Sequence, residues 1–221
     1  MMPVLRKNWL RLAVHLGALV PLVVLVRDYF LHHLTFNPIQ EATQRTGKTA
    51  LILLILSLVC SPANRIFGFK QSVSARRPLG LYAFFYASIH VFIFFVLDYG
   101  LVYDDIIQAV TEKPYVIAGL SAFLLLAPLA LTSTRGWMRR LGKRWKKLHQ
   151  LVYLAAPVVI LHFVWSVKAD IRQPLLYGVA VALLLVLRLP RVRAALPKLR
   201  SRRALERSET VSRSAPPVAD S

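Results

Sequence analysis

The 221-residue chain holds one cysteine, Cys60. A single thiol excludes an intramolecular disulfide, a cysteine-ligated iron–sulfur cluster and a cysteine-rich zinc site. Cys60 reads as a small apolar residue. Acidic side chains are scarce too, 10 Asp and Glu against 29 Lys and Arg, for a net charge of +19. No acid falls inside the apolar segments described below. That counts against an ion-coupled transporter, which uses intramembrane carboxylates for its coupling. No internal repeat, second soluble domain or nicotinamide- or flavin-binding module is legible, so electrons would have to arrive from another molecule. The phrase Gly47-Lys48-Thr49 echoes the end of a phosphate-binding loop. The earlier glycine of that loop would fall on Ala42, and no strand precedes it. The phrase reads as a helix start.

What the chain has is apolar surface. Hydrophobic residues make up 56% of it, and its mean hydropathy of +0.51 is too high for an ordinary soluble domain of this size. Six apolar segments appear: Trp9–Val26, Thr49–Asn64, Leu79–Leu97, Pro114–Ser133, Leu148–Val167 and Gln173–Leu189. The third, fourth and fifth approach the ~20 residues that cross a bilayer. The second and sixth are shorter and would lean on flanking cations such as Lys48, Arg65, Arg172 and Arg188. The first resembles a signal peptide, but it ends at Arg27-Asp28 without a small-x-small cleavage pattern and reads as a retained span.

Charge orients the segments. The N-terminal stretch, the loop from Arg65 to Pro78, the loop from Thr134 to Lys147 and the region from Arg188 onward together hold 23 of the 29 cations. In a six-span arrangement these all lie on one side. The other side has Arg27, Arg45, Lys48, Lys113, Lys168 and Arg172 beside seven acids. The positive-inside rule then predicts an all-α, six-helix transmembrane bundle over residues 1–190 with both termini cytosolic. Residues 191–221 form a basic tail rich in Ser, Pro and Arg, expected to be disordered against an anionic leaflet. This distribution explains the basic composition without nucleic acid.

Of six histidines, His32 and His33 fall in the first outer loop and read as solvated. His15 lies inside the first span and reads as a packed or interfacial group. His90, His149 and His162 lie in the third and fifth spans, where an imidazole is a candidate functional group; the plain alternative is a set of interhelical hydrogen bonds. At 1.5 Å per residue, His162 lies about 20 Å deeper than His149, and His90 about 16 Å in from the same face. His90 and His162 therefore reach similar depths, as the two axial ligands of a six-coordinate haem must. His149, nearer the cytosol, leaves a second haem open. At its depth the third helix offers Arg76 and Arg77, which cannot be ordinary axial ligands but can pair with haem propionates or a flavin phosphate. On an ideal helix His149 and His162 point roughly 140° apart, with the helix-kinking Pro157 between them.

The stretches from Arg76 to His90 and from Leu141 to Tyr153, with Ser61-Pro62-Ala63-Asn64-Arg65, resemble the haem-binding membrane subunit of the bacterial periplasmic protein-methionine-sulfoxide reductase system, in the ferric-reductase-like transmembrane group. The likeness spans about residues 5–190. It implies one haem b, with a second left open, and an associated flavin mononucleotide (FMN). It implies iron ligation through His90, His149 and His162. It also implies electrons passing, in the inner membrane, from the quinone pool or a cytosolic flavin reductase to a periplasmic molybdopterin enzyme that repairs methionine sulfoxide. Members of the wider group carry two histidines on each of two helices, and here the third span has one. A stand-alone ferric or quinone reductase and a haem-free transporter or assembly factor are the competing readings.

Overall fold

The computed structural model describes residues 2–167, 170–190 and 192, with the backbone alone for residues 2–8 and 70. The expected tail, apart from Val192, lies outside the described residues. Everything described is helix, turn or coil, with no strand among the described residues. The helices are α1 (Met2–Phe30), α2 (Pro38–Phe67), α3 (Lys70–Phe92, continued by a π-helical turn over Ile93–Asp98), α4 (Tyr103–Glu112), α5 (Pro114–Leu131), α6 (Arg135–Leu141), α7 (Lys143–Leu148), α8 (Val152–Ser166) and α9 (Arg172–Val186). A 3₁₀ turn over His149–Leu151 joins α7 to α8.

Five helical stretches are long and apolar enough to cross a membrane: Trp9–Phe30, Pro38–Phe67, Gln71–Asp98, Pro114–Leu131 and Lys143–Ser166. The sixth expected segment forms α9, which has 15 residues and falls short of that length. The second is longer than its apolar run suggested. Asn37 caps the helix by accepting from the Gln40 amide, and Pro38 occupies its first turn. Helix α2 thus starts eleven residues before Thr49, and Gly47 lies inside it rather than at its start. The cationic loop from Arg65 to Pro78 is mostly helix as well. Gly68, at φ 71°, closes α2 in the left-handed conformation with its amide on the Asn64 carbonyl. Only Gly68 and Phe69 then separate α2 from α3, so Arg76 and Arg77 ride on α3 itself.

Two helix pairs form the frame: α2 packs along α3, and α5 along α8. Helix α1 leans on α3, and α9 on α8. Small residues, among them Ala75, Ala83, Ala122, Ala155 and Ala156, are buried where the helices meet, as membrane helices require for close approach. Leu124, Leu131, Leu176 and Val179 are each more than two-thirds exposed on the outside, a surface suited to lipid rather than water.

Two polar contacts tie α1 in place. The Tyr86 hydroxyl accepts from the Leu22 amide at 3.0 Å and donates to the Ala18 carbonyl at 2.7 Å. It is therefore wedged into the α1 turn beside Pro21, where the regular i→i−4 pattern is broken. At the other end of α1 the buried Asp28 carboxylate accepts from Arg27 at 2.7 Å and from Arg45 of α2 at 2.6 Å. This acid lies two residues beyond the apolar run, in the last turn of α1, and both of its oxygens are used in clasping α1 to α2. Tyr86→Phe removes both hydrogen bonds by which α3 holds α1. It should cost about 1–3 kcal/mol, measured as a shift in the denaturant midpoint of the detergent-solubilised protein.

Candidate functional site

Each of the two helix pairs carries one histidine on its inner face. His90 extends from α3 towards α2, and its Nδ1 lies 2.9 Å from the Thr43 carbonyl. His162 extends from α8 towards α5, and its Nδ1 lies 2.7 Å from the Tyr115 carbonyl. A carbonyl only accepts, so both rings carry the proton on Nδ1 and leave a lone pair on Nε2. The two rings stand 6.0 Å apart, centre to centre, with their planes at 86°. Metal–imidazole bonds of about 2.0–2.1 Å, with each ring centre about 1.1 Å behind its nitrogen, put two imidazoles on opposite sides of one ion roughly 6.3 Å apart. The observed separation and the free Nε2 atoms fit a single ion between the rings. The carbonyls supply the outer partners that orient metal-bound imidazoles.

The close approach needs glycine. A Cβ on Gly47 would meet Cε1 and Nδ1 of His90 at 3.0 Å. A Cβ on Gly119 would meet Nδ1 and Cε1 of His162 at 2.7 and 2.8 Å. Thr43, Gly47, Tyr115 and Gly119 escaped the reading of the sequence. A glycine inside an apolar helix is the one signal a sequence carries for such a contact, and Gly47 shares it with the likeness to a phosphate loop.

His149 is built differently. It sits in the 3₁₀ turn, with Nδ1 3.2 Å from the Trp145 carbonyl and its ring stacked on the Trp145 indole at 3.9 Å. Its Nε2 is buried without a hydrogen-bond partner. The 3₁₀ turn interrupts the regular helix on which the 140° separation from His162 was reckoned. Arg76 is half-buried, donates to the Ser61 hydroxyl at 3.4 Å and acts electrostatically on His149, whereas Arg77 is exposed on another face of α3.

A third guanidinium takes that place. Arg188, beyond the end of α9, donates to the Leu58 carbonyl at 2.5 Å and lies 4.8 Å over the Tyr153 ring, with its Nε buried and unpartnered. Among the described residues no carboxylate pairs with Arg76 or Arg188. Two cations suit an anionic group such as a carboxylate or phosphate, whereas His149, with its Nδ1–H on a carbonyl, presents a lone pair on Nε2 that suits a metal instead. From sequence Arg188 is expected to be a snorkelling flank; here it turns inward. Between the inner and outer clusters, Phe84 of α3 stacks on Phe123 of α5 at 5.2 Å.

At the far end, Lys113 donates to the Tyr99 hydroxyl at 2.8 Å. That bond, with Asp98 and Tyr115 nearby, holds its ammonium above the usual lysine range against the effect of burial. His15 pairs with the Tyr82 hydroxyl at 3.0 Å, away from both clusters. His32 and His33 are exposed.

Residues 46–160 match the family described as "Ferric reductase like transmembrane component". The chain is 42% identical over 179 residues to the protein-methionine-sulfoxide reductase heme-binding subunit MsrQ of Xanthomonas campestris pv. campestris strain 8004, covering 78% of this chain and 82% of that protein. It is 40% identical over 212 residues to the MsrQ of Xanthomonas euvesicatoria pv. vesicatoria, covering 93% and 92%. It is 44% identical over 185 residues to that of Deinococcus radiodurans, covering 82% and 90%. With a matching family and five membrane-length helices, this is a multi-pass membrane protein. The chain belongs to the ferric-reductase-like transmembrane family, in its MsrQ branch.

Proposed function

We propose that the protein is a b-type cytochrome of the bacterial inner membrane. It carries electrons from the quinone pool or a cytosolic flavin reductase to a periplasmic molybdopterin methionine-sulfoxide reductase. The observation that carries this reading is the His90–His162 pair, two lipid-shielded imidazoles 6.0 Å apart with both Nδ1 atoms engaged on carbonyls. The relatives' description as haem-binding subunits of that reductase supports it. Haem bound between these residues would supply one-electron chemistry, and sulfoxide reduction would belong to the partner.

The chain's own residues do the rest. His90 and His162 present their Nε2 lone pairs from opposite helix pairs. The carbonyls of Thr43 and Tyr115 hold the tautomers and add basicity to the rings. The helices around them keep water away, which strengthens every charge interaction at the site. At the cytosolic end, Arg76 and Arg188 would receive the anionic arm of a second redox group, an FMN phosphate or the propionates of a second haem, and His149 would offer its Nε2 lone pair to the iron of such a haem. In this arrangement α9 is the sixth span, and both termini face the cytosol with the basic segments. The stacked Phe84 and Phe123 fill the space between the clusters.

An absorption spectrum of detergent-purified protein from haem-replete cells is the test. Reduction should bring up the sharp α band of a low-spin b-type haem. Rings at 86° leave the two iron orbitals that they perturb nearly degenerate. The ferric form should therefore give a strongly anisotropic low-spin electron paramagnetic resonance (EPR) signal rather than the rhombic spectrum of parallel rings. Colourless protein would sink the haem reading.

A further inference from the structure

The two facing histidines are held by one device used twice. In α2, Thr43 supplies the carbonyl and Gly47 the notch, and His90 docks there from 47 residues past Thr43. In α5, Tyr115 supplies the carbonyl and Gly119 the notch, and His162 docks there from 47 residues past Tyr115. No repeat is legible in the sequence, yet the placement repeats with identical spacing.

Helix geometry explains why the notch falls where it does. The carbonyl of residue i accepts from the amide of residue i+4, so Gly47 and Gly119 are the residues whose own amides close on these two carbonyls. A side chain there would cover the oxygen that the imidazole must share. Without Cβ, the oxygen stays open on one side, and the ring reaches it at hydrogen-bond distance while lying against the glycine.

We propose that Gly47 and Gly119 are paired positioning residues. By keeping the Thr43 and Tyr115 carbonyls open to the Nδ1–H groups of His90 and His162, they set the electron density of both imidazoles and so the reduction potential of the iron that the rings hold. A hydrogen bond from Nδ1–H to a carbonyl gives the ring anionic character and makes it a stronger donor at Nε2. A stronger donor favours the ferric state. Losing one such bond therefore raises the potential. The proposal rests on the reading of His90 and His162 as an axial pair.

The test uses the full chain purified with its haem, as Gly47→Ala, Gly119→Ala and the control Gly80→Ala. Gly80 lies on α3, and its added Cβ meets nothing within 4 Å. The midpoint potential is read by redox titration of the α band, and ring orientation by EPR. Each notch variant should be about tenfold more reduced at the parent's midpoint, about 59 mV for a one-electron couple. Each should also show a changed EPR anisotropy, while Gly80→Ala matches the parent in both. Should Gly119→Ala fail to fold, Gly47→Ala carries the comparison, since its Cβ meets the ring at 3.0 Å rather than 2.7 Å. Potentials and EPR spectra identical to the parent in haem-loaded notch variants would overturn the proposal. A colourless parent would instead overturn the haem reading on which it stands.

Discussion

His90→Ala and His162→Ala should each abolish the low-spin haem spectrum of the purified protein, whereas His149→Ala should leave it in place. Each ring of the facing pair would hold one side of the iron, and they come from separate helix pairs. Nothing described on α3 or α8 lies ready to replace either. Truncation also leaves a carbonyl without its imidazole partner and a cavity beside a glycine, so neighbouring side chains gain no donor by relaxing. His149 is remote from this pair, with its ring stacked on Trp145 and its Nδ1 on the backbone of its own turn. The measurement is the α-band absorbance per protein with the ferric EPR signal. Complete loss is expected for the first two variants, and near-parental intensity for the third. If His149→Ala alone removed all haem, the division into an outer pair and an inner cluster would be wrong.

Arg188→Ala should release the inner anionic group and spare the outer haem. Arg188 and Arg76 have no carboxylate partner among the described residues, and burial of Arg188 makes an uncompensated charge expensive. A bound phosphate or propionate would supply the missing charge. Losing one charge-assisted contact costs about 1.5–3 kcal/mol, roughly a tenfold to hundredfold loss of affinity. Arg76→Ala should act in the same direction, while Arg77→Ala, on an exposed side chain, should have little effect. Flavin released on denaturation and haem per protein are the two readouts. Unchanged content of both in the Arg188→Ala, Arg76→Ala double variant would remove the inner site from these residues.

Much of the frame could be read from the chain because lipid imposes a simple code. Apolar runs and cation-rich connections revealed the helices, and rise per residue placed His90 and His162 at one depth. Helix ends were less legible. The polar start of α2, through Glu41, Arg45 and Lys48, is held by a cap and by ion pairs to neighbours rather than by hydropathy. The candidate site was legible only in its side chains. Both imidazoles hang on backbone carbonyls, and backbone atoms leave no mark in a sequence beyond the glycine that exposes them. Arg188 was hidden for another reason: a cation at the end of an apolar run looks the same whether it reaches outward to lipid headgroups or inward over Tyr153.

Tyr86 has a further consequence. Its hydroxyl is wedged into α1 one helical turn from His90, whose ring is in turn fastened to α2. The helix bearing His90 is thus splinted from two sides. Were an iron held there to change its charge by one electron, few nuclei would be free to move in response. Transfer through such a site would have a low reorganisation energy, which would suit a task of passing electrons on rather than holding them.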